Sequence, residues 1–185
     1  QVFGGVGFVE ETGAAQYYRD SRITTIYEGT TAIQANDLVG RKLAREKVPG
    51  AAMKTLIAEM TADAEAIGAN PQLANIAANL KAGIAAQQKA VDWILANYES
   101  APAAVHAGSV PFLKQTGIVV GGWLMAKAAK VAHDAIAAGS SDPFYREKLA
   151  SAQFYMGHIL PKSAGLRITV ESDNSLLLGL PDEAF

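Results

Sequence analysis

The strongest constraint on the fold is the spacing of apolar residues after a break at Val48-Pro49-Gly50. Beyond that break, leucine, isoleucine, valine and alanine recur every three or four residues in four long segments, which is the pattern of an amphipathic helix. Clusters of glycine, proline, asparagine or serine separate the segments, and these residues interrupt helices. We predict helices at about 51–67, 72–98, 112–138 and from 144 to beyond 160, with a loop at 102–111 and either a kink or a restart at Pro161.

No stretch of useful length alternates apolar and polar residues as a strand does. The predicted fold class is therefore all-α, with an up-and-down helical bundle over residues 48–185. Much of the hydrophobic half of the chain is alanine, which favours helix and lets helices approach closely. Gly117, Gly121 and Gly122 interrupt one helix, where each costs about 1 kcal/mol relative to alanine. We therefore expect another helix to pack against these glycines.

The first 47 residues differ in composition from the bundle. They hold a glycine cluster, several tyrosines and arginines, and the string Tyr27-Glu28-Gly29-Thr30-Thr31. We predict one helix at 10–23 and a second that Thr30 or Thr31 caps and that ends in a basic run after Leu43. Glu28 then lies in the short turn between the two helices. A side chain there can be held by both helices and still face a cavity.

Charge and composition exclude several classes of function. Sixteen basic against eighteen acidic residues, without a block of either sign, argue against nucleic acid or an anionic membrane surface as the main partner. The densest apolar window, 117–129, is shorter than the ~20 residues of a membrane-spanning helix. The absence of cysteine excludes disulfides, thiolate metal sites and a cysteine nucleophile. No secretory signal opens the chain, and we expect a cytoplasmic protein.

The remaining polar features have ordinary structural interpretations when each is taken alone. Three histidines, at positions 106, 133 and 158, are too dispersed for a metal site, and we predict no metal. We expect His158 to pack against the bundle beside Phe154. Gly4-Gly5-Val6-Gly7 lacks the strand and spacing of a dinucleotide fingerprint and indicates a tight loop. Arg19, Asp20 and Arg22 indicate a solvated charge cluster.

Three motifs in the first region change this interpretation because they occur together and in order. They are Gln-x-x-Gly-Gly-x-Gly-Phe at 1–8, Tyr-Arg-Asp-x-Arg-Ile at 18–23 and Ile-Tyr-Glu-Gly-Thr-x-x-Ile-Gln at 26–34. Together they resemble the C-terminal end of acyl-CoA dehydrogenases. The rest resembles the helical domain appended to longer members such as the methylthiopropionyl-CoA dehydrogenases. The resemblance implies that residues 1–47 are the last helices of the catalytic helical domain and that 48–185 are the appended domain.

The resemblance also implies an activity and assigns residues to it. Acyl-CoA dehydrogenases oxidise acyl-CoA to trans-2-enoyl-CoA, as a base removes the α-proton and the β-hydride passes to FAD. The resemblance makes Glu28 the catalytic base and places Gly29 beside the substrate thioester. It assigns Thr30 and Thr31 to the FAD of the same subunit. It assigns Gln1, Gly4 and Gly5 to the FAD of a neighbouring subunit.

The charged residues and one departure from the family pattern complete these expectations. With the resemblance in view, we expect Arg19, Asp20 and Arg22 to form a salt-bridge network that fixes the Glu28 turn. Many members carry glutamine where this chain has Ala32, so a side-chain contact to FAD at that position is lost.

Partners and alternatives follow from the same resemblance. It implies acyl-CoA as substrate, electron-transfer flavoprotein as electron acceptor, and a homo-oligomer. It further implies a C-terminal fragment of a longer enzyme, and we expect the fragment alone to be inactive. The main alternative is a non-catalytic helical interaction or oligomerisation module at 50–185. DNA binding has little support because the lysines of the bundle are scattered among acidic residues.

Overall fold

The structure, a computed structural model, describes residues 1–172 and 181–184 and is built from helices. These are α1 (Ala14–Ile23), α2 (Thr31–Val39), α3 (Ala51–Gly68), α4 (Ala74–Asn97), α5 (Pro102–Ala107), α6 (Ser109–Ala137), α7 (Pro143–Phe154) and α8 (Lys162–Val170). Short 3-10 turns cover Gly4–Phe8, Glu10–Thr12, Pro71–Leu73 and Asp182–Ala184. The described residues contain no strand, which confirms the all-α prediction. Residues 173–180 and 185 of the predicted appended domain lie outside the described residues.

The structure differs from the predicted helix boundaries at Pro102 and Pro111 and agrees with the prediction at Pro161. The segment 102–111, predicted as a loop, contains α5 and the first turn of α6. Pro102 and Pro111 both stand in the first turn of a helix, where a missing backbone N–H removes no hydrogen bond. Of the two alternatives predicted at Pro161, the restart is correct. The chain leaves α7 through a π-helical turn at Tyr155–Ile159 and begins α8 at Lys162.

The central element of the bundle is α6, which packs against α2, α3, α4, α7 and α8. Phe112, Val119 and Ala126 on this helix are fully buried, so the face of α6 that carries them is covered by neighbouring helices. Short turns join successive long helices, which therefore lie side by side as in an up-and-down bundle. In the described part of the chain, no helix has both the length and the apolar character to cross a membrane.

The glycines of α6 confirm the expected close packing at two of the three positions. A Cβ atom on Gly121 would lie 2.5 Å from the Tyr155 hydroxyl oxygen, and one on Gly122 would lie 3.0 Å from Cδ1 of Leu160. The Tyr155 hydroxyl donates a hydrogen bond of 3.0 Å to the Ile118 carbonyl, which holds the ring against α6. At Gly117 the prediction is wrong, because a Cβ atom there would meet nothing within 4 Å.

Helix α2 shares the core of the bundle although it precedes the Pro-Gly break. Ala35, Val39 and Leu43 on one side of α2 and its π-helical extension, Gly40–Ala44, are fully buried. They pack chiefly through the contact of α2 with α6. The break at Val48-Pro49-Gly50 is a tight turn, in which Gly50 has a φ of +76° and leads directly into α3.

A polar contact joins α3 to α6 on the surface of the bundle. Asp63 Oδ2 accepts hydrogen bonds from Trp123 Nε1 at 2.7 Å and from Lys127 Nζ at 3.1 Å. The indole hydrogen bond and then the ammonium group lower the pKa of Asp63 below its ordinary value of 3.8. Lys127 also lies 4.7 Å from the centre of the Trp123 ring, a cation–π distance. The ionised form of Asp63 therefore stabilises the folded state.

The two α6 glycines allow a matched test of helix packing. Gly121→Ala is expected to lower the free energy of unfolding by about 1–2 kcal/mol, because the new methyl displaces Tyr155 from its hydrogen bond. Gly117→Ala, the control, is expected to raise it by up to about 1 kcal/mol through helix propensity alone. Urea unfolding followed by circular dichroism measures both changes. Equal effects of the two substitutions would contradict the packing described for Gly121.

The Asp63 contact predicts a pH dependence. Because the folded-state pKa is lowered, the stabilisation is present above the ordinary value of 3.8 and is lost as the pH falls through the folded-state pKa. Asp63→Asn is expected to lower stability by about 1 kcal/mol at neutral pH. This deficit should shrink below pH 3.8, as measured by urea unfolding at several pH values. Asp20→Asn, on exposed α1, is the control; a deficit for Asp63→Asn that is constant with pH would refute the electrostatic origin.

Candidate functional site

The Glu28 turn joins the end of α1 at Ile23 to the start of α2 at Thr31, which confirms the predicted place of Glu28 between two helices. Glu28 has a φ of +57° and Gly29 a φ of +98°. Among the described residues, Glu28 is the one non-glycine residue with a positive φ. A left-handed backbone is unfavourable for a side chain with a Cβ atom, and such residues concentrate at functional sites.

The start of α2 is fixed by a side-chain cap. Of the two predicted candidates, Thr30 is the cap, because its Oγ1 accepts a hydrogen bond of 3.3 Å from the Ile33 backbone N–H. Thr31 is the exposed first residue of the helix. Gln34, to which the sequence analysis gave no role, donates a hydrogen bond of 2.7 Å from its side-chain Nε2 to the Glu28 carbonyl. The turn is thus held to α2 by the Thr30 cap and by the hydrogen bond of Gln34 to Glu28.

The Glu28 carboxylate is exposed and forms no ion pair with any residue in the described ranges. Glu28 has only a weak electrostatic effect on Arg41. The pKa of Arg41 is raised mainly by its 2.6 Å hydrogen bond to Asp37. A carboxylate without a tight cationic partner keeps its lone pairs available for a proton or a ligand. The arrangement suits a base better than it suits a structural salt bridge.

Gly29 is required by the backbone as well as by the space beside it. Its φ of +98° is one that L side chains rarely adopt, and a Cβ atom there would lie 3.0 Å from Cδ1 of Ile33. Gly29 therefore exposes bare backbone next to the Glu28 side chain.

The first segment lies apart from the Glu28 turn. Gly4–Phe8 forms a 3-10 turn that packs with Glu10–Thr12 and α1, and the Gly4 N–H donates a 2.9 Å hydrogen bond to the Gln1 carbonyl. Gln1, Gly4 and Gly5 are exposed, and a Cβ atom on either glycine would meet nothing within 4 Å. The tight loop predicted here is confirmed.

Comparison with known proteins identifies the family of this chain. The family described as "Acetyl-CoA dehydrogenase C-terminal like" matches residues 56–181, and "Acyl-CoA dehydrogenase, C-terminal domain" matches residues 1–44. The chain belongs to the acyl-CoA dehydrogenase family.

Individual relatives agree with this assignment. The chain is 41% identical, over 97% of its length, to the 3-methylmercaptopropionyl-CoA dehydrogenase of Ruegeria pomeroyi. It is 32% identical over its whole length to the broad-specificity linear acyl-CoA dehydrogenase FadE5 of Mycobacterium tuberculosis. It spans 31% of the length of each of these two relatives. The human mitochondrial short-chain specific acyl-CoA dehydrogenase is 51% identical over 43 residues, which are 23% of this chain and 10% of that protein.

The charged residues of this dehydrogenase chain do not form the predicted network around the turn. Arg19 pairs with Glu10 through two hydrogen bonds of 2.7 and 3.0 Å, because the positive φ of Gly13 folds the first segment back along α1. The Arg19 hydrogen bonds lower the pKa of Glu10. Only Arg22 contacts the connection to the turn, through a 3.0 Å hydrogen bond to Thr25 Oγ1. Among the described residues Asp20 forms no ion pair, so the predicted three-residue network is wrong.

The histidines have separate structural contacts. His106 is joined to Asn36 of α2 by a hydrogen bond of 3.1 Å, and His133 to Gln72 by one of 2.7 Å. His158 stacks on Phe154 with ring centres 4.6 Å apart, but both side chains are exposed. The prediction that His158 packs against the bundle is therefore wrong, because its ring stacks on another exposed side chain at the surface. In the described ranges, no three histidine, aspartate or glutamate side chains are grouped to hold a metal ion.

Many apolar side chains between residues 2 and 33 are exposed. No residue of α1 is buried, and α1 contacts mainly the two 3-10 turns before it. The exposed set comprises Val2, Phe3, Val6, Phe8, Val9, Tyr17, Tyr18, Ile23, Ile26, Tyr27 and Ile33. We call this set the apolar margin. Exposed apolar side chains concentrated in one part of a chain are typical of a contact site.

Proposed function

We propose that this chain forms the C-terminal part of an FAD-dependent acyl-CoA dehydrogenase and supplies its catalytic base, Glu28. The reaction is the oxidation of an acyl-CoA thioester to the trans-2-enoyl-CoA. The observation that carries the proposal is the Glu28 turn itself. It holds an unpaired carboxylate on a constrained backbone, directly before the Gly29 that leads into the capped helix α2, within the stretch that matches the acyl-CoA dehydrogenase C-terminal domain.

The chemistry asked of Glu28 is removal of the α-proton of the thioester. A carboxylate is a weak base in water, and excluding water from the site strengthens it. Glu28 is exposed in this chain, so the exclusion requires a further surface over the turn. Ile26, Tyr27 and Ile33 of the apolar margin support this requirement, because they flank Glu28 in sequence and expose apolar surface that a further segment would cover.

The residues assigned to FAD fit a phosphate-bearing, hydrogen-bonding group. The Thr30 hydroxyl accepts a hydrogen bond from Ile33 as a cap and still has its own hydrogen to donate. Thr31 exposes its hydroxyl at the positive N-terminal end of nine-residue α2. Gln1, Gly4 and Gly5 present an open backbone, whereas Ala32 has no side-chain donor. Bound FAD would accept the β-hydride, and we propose that Gln1, Gly4, Gly5, Thr30 and Thr31 hold it.

The wider assignments belong to the same proposal. We assign residues 1–47 to the catalytic helical domain and 48–185 to the appended domain. The names of the relatives indicate acyl-CoA thioesters as the substrate class, with Gly29 beside the thioester. We also propose electron-transfer flavoprotein as the electron acceptor and a homo-oligomeric assembly. We propose a cytoplasmic location, which suits a chain without cysteine.

A non-catalytic role for the bundle alone is the second candidate. Leu124, Val131 and Phe144 are each more than half exposed on neighbouring parts of α6 and α7. Such a surface favours an interaction or oligomerisation module. This role is compatible with the first, since the bundle also buries α2.

The base is tested by Glu28→Gln in the complete dehydrogenase of which we propose this chain is part. We expect flavin reduction by acyl-CoA to fall by at least about 1,000-fold with FAD still bound, because the amide cannot take the proton. Stopped-flow measurement of flavin bleaching gives the rate. Glu59→Gln, exposed on α3, is the matched control and should leave the rate unchanged. Undiminished bleaching in Glu28→Gln would exclude Glu28 as the base.

The chain expressed by itself is expected to purify without flavin. All five residues proposed to hold FAD are exposed in it, and it spans 31% of the length of its relatives, so most of a flavin pocket would come from elsewhere. Absorbance spectra after incubation with FAD and gel filtration measure retention. The complete dehydrogenase, treated in the same way, is the positive control. Stoichiometric flavin on the isolated chain would contradict this expectation.

A further inference from the structure

We propose that Gln34 is a positioning residue for the base, an inference that rests on the proposed function of Glu28. Its side chain is neither at the reacting atoms nor part of the cap. It is instead the contact through which α2 holds the backbone of the Glu28 turn.

The contact is short and joins side chain to backbone. Gln34 Nε2 donates to the Glu28 carbonyl oxygen at 2.7 Å across six residues of sequence. A hydrogen bond to this carbonyl fixes the peptide plane between Glu28 and Gly29. Fixing that plane restricts the ψ angle of Glu28 and therefore the direction of the Cα–Cβ bond from which its side chain starts.

The backbone of Glu28 needs such a contact. A φ of +57° is unfavourable for glutamate, and a strained residue persists only where its surroundings hold it. Gly29, with a φ of +98°, adopts its conformation freely and does not by itself constrain Glu28. The Thr30 cap fixes the start of α2 but contacts Ile33 rather than Glu28. Gln34 is thus the side chain that connects the strained residue to the helix.

Gln34 can hold the Glu28 turn because its own backbone is fixed within α2. Its backbone N–H donates to the Thr30 carbonyl at 3.1 Å, and the next residue, Ala35, is fully buried in the bundle. The buried side of α2 therefore fixes the position of Gln34. The side-chain amide of Gln34 in turn holds the backbone of Glu28, the residue proposed to take the substrate proton. A displacement of about 1 Å at a reacting group lowers a rate by up to about 100-fold.

The test compares three variants of the complete dehydrogenase. Gln34→Ala removes the donor, and Gln34→Glu keeps the length of the side chain but replaces the donor by an acceptor. We expect both to lower kcat for flavin reduction by roughly 10- to 100-fold, with KM changed less than about threefold and FAD fully retained. Asn36→Ala, two residues along the same exposed helix end, removes the contact to His106 and should preserve kcat.

A second readout is independent of activity and uses this chain alone. The Gln34 side-chain amide protons should exchange slowly with solvent in NMR spectra. Gln34→Ala should shift the Glu28 carbonyl carbon resonance, whereas Asn36→Ala should not.

The outcomes separate this inference from the proposed function. If Glu28→Gln abolishes flavin reduction and both Gln34 variants retain normal kcat, the positioning role is overturned and the base stands. Loss of FAD in proportion to loss of activity in the Gln34 variants would also overturn it, since that pattern indicates a structural role. Undiminished flavin reduction in Glu28→Gln would overturn the proposed function and this inference together.

Discussion

The burial of one side of α2 is the interaction on which the rest of the structure depends. Ala35, Val39 and Leu43 are fully buried against the bundle, and the opposite end of the same short helix carries the Glu28 turn. A nine-residue helix is marginal in water by itself, so its stability comes from this packing. The bundle, which contributes none of the proposed catalytic residues, thereby acts as the support of the residue proposed to do the chemistry.

Under the proposed function, this arrangement divides the requirements of a carboxylate base between this chain and the rest of the complete dehydrogenase. Orientation comes from the chain described here, through the Thr30 cap, the Gln34 hydrogen bond and the buried face of α2. Exclusion of water does not, because Glu28 and the apolar margin are exposed. This division fits the length of the chain, which spans 31% of each of the two relatives from Ruegeria pomeroyi and Mycobacterium tuberculosis. Those relatives have further sequence that is available to cover the turn.

Elements set by local rules could be predicted from the sequence. Apolar spacing located the long helices, and the Gly29-Thr30 pair located the turn and the helix that follows it. The motifs around Glu28 were sufficient to indicate the family, which the comparisons then showed. The prediction of a loop at 102–111 was wrong because a proline in the first turn of a helix is compatible with that helix. Such prolines therefore do not by themselves mark a loop.

Features set by backbone geometry could not be predicted. The pairing of Arg19 with Glu10 depends on the positive φ of Gly13, and the contact of Gln34 depends on a left-handed glutamate that no sequence rule favours. The packing across the turn at Val48-Pro49-Gly50 could not be predicted either. In the structure this turn lies within one core, because Leu43 on one side of it and Met53 on the other are both buried.

Amide hydrogen exchange along the chain tests the central claim most directly. If α2 is part of the bundle core, the amides of Gln34 to Val39 will exchange as slowly as those of α6, and the amides of α1, which has no buried residue, will exchange much faster. Exchange of α2 at the rate of α1 would contradict the account, because the Glu28 turn would then have no fixed support.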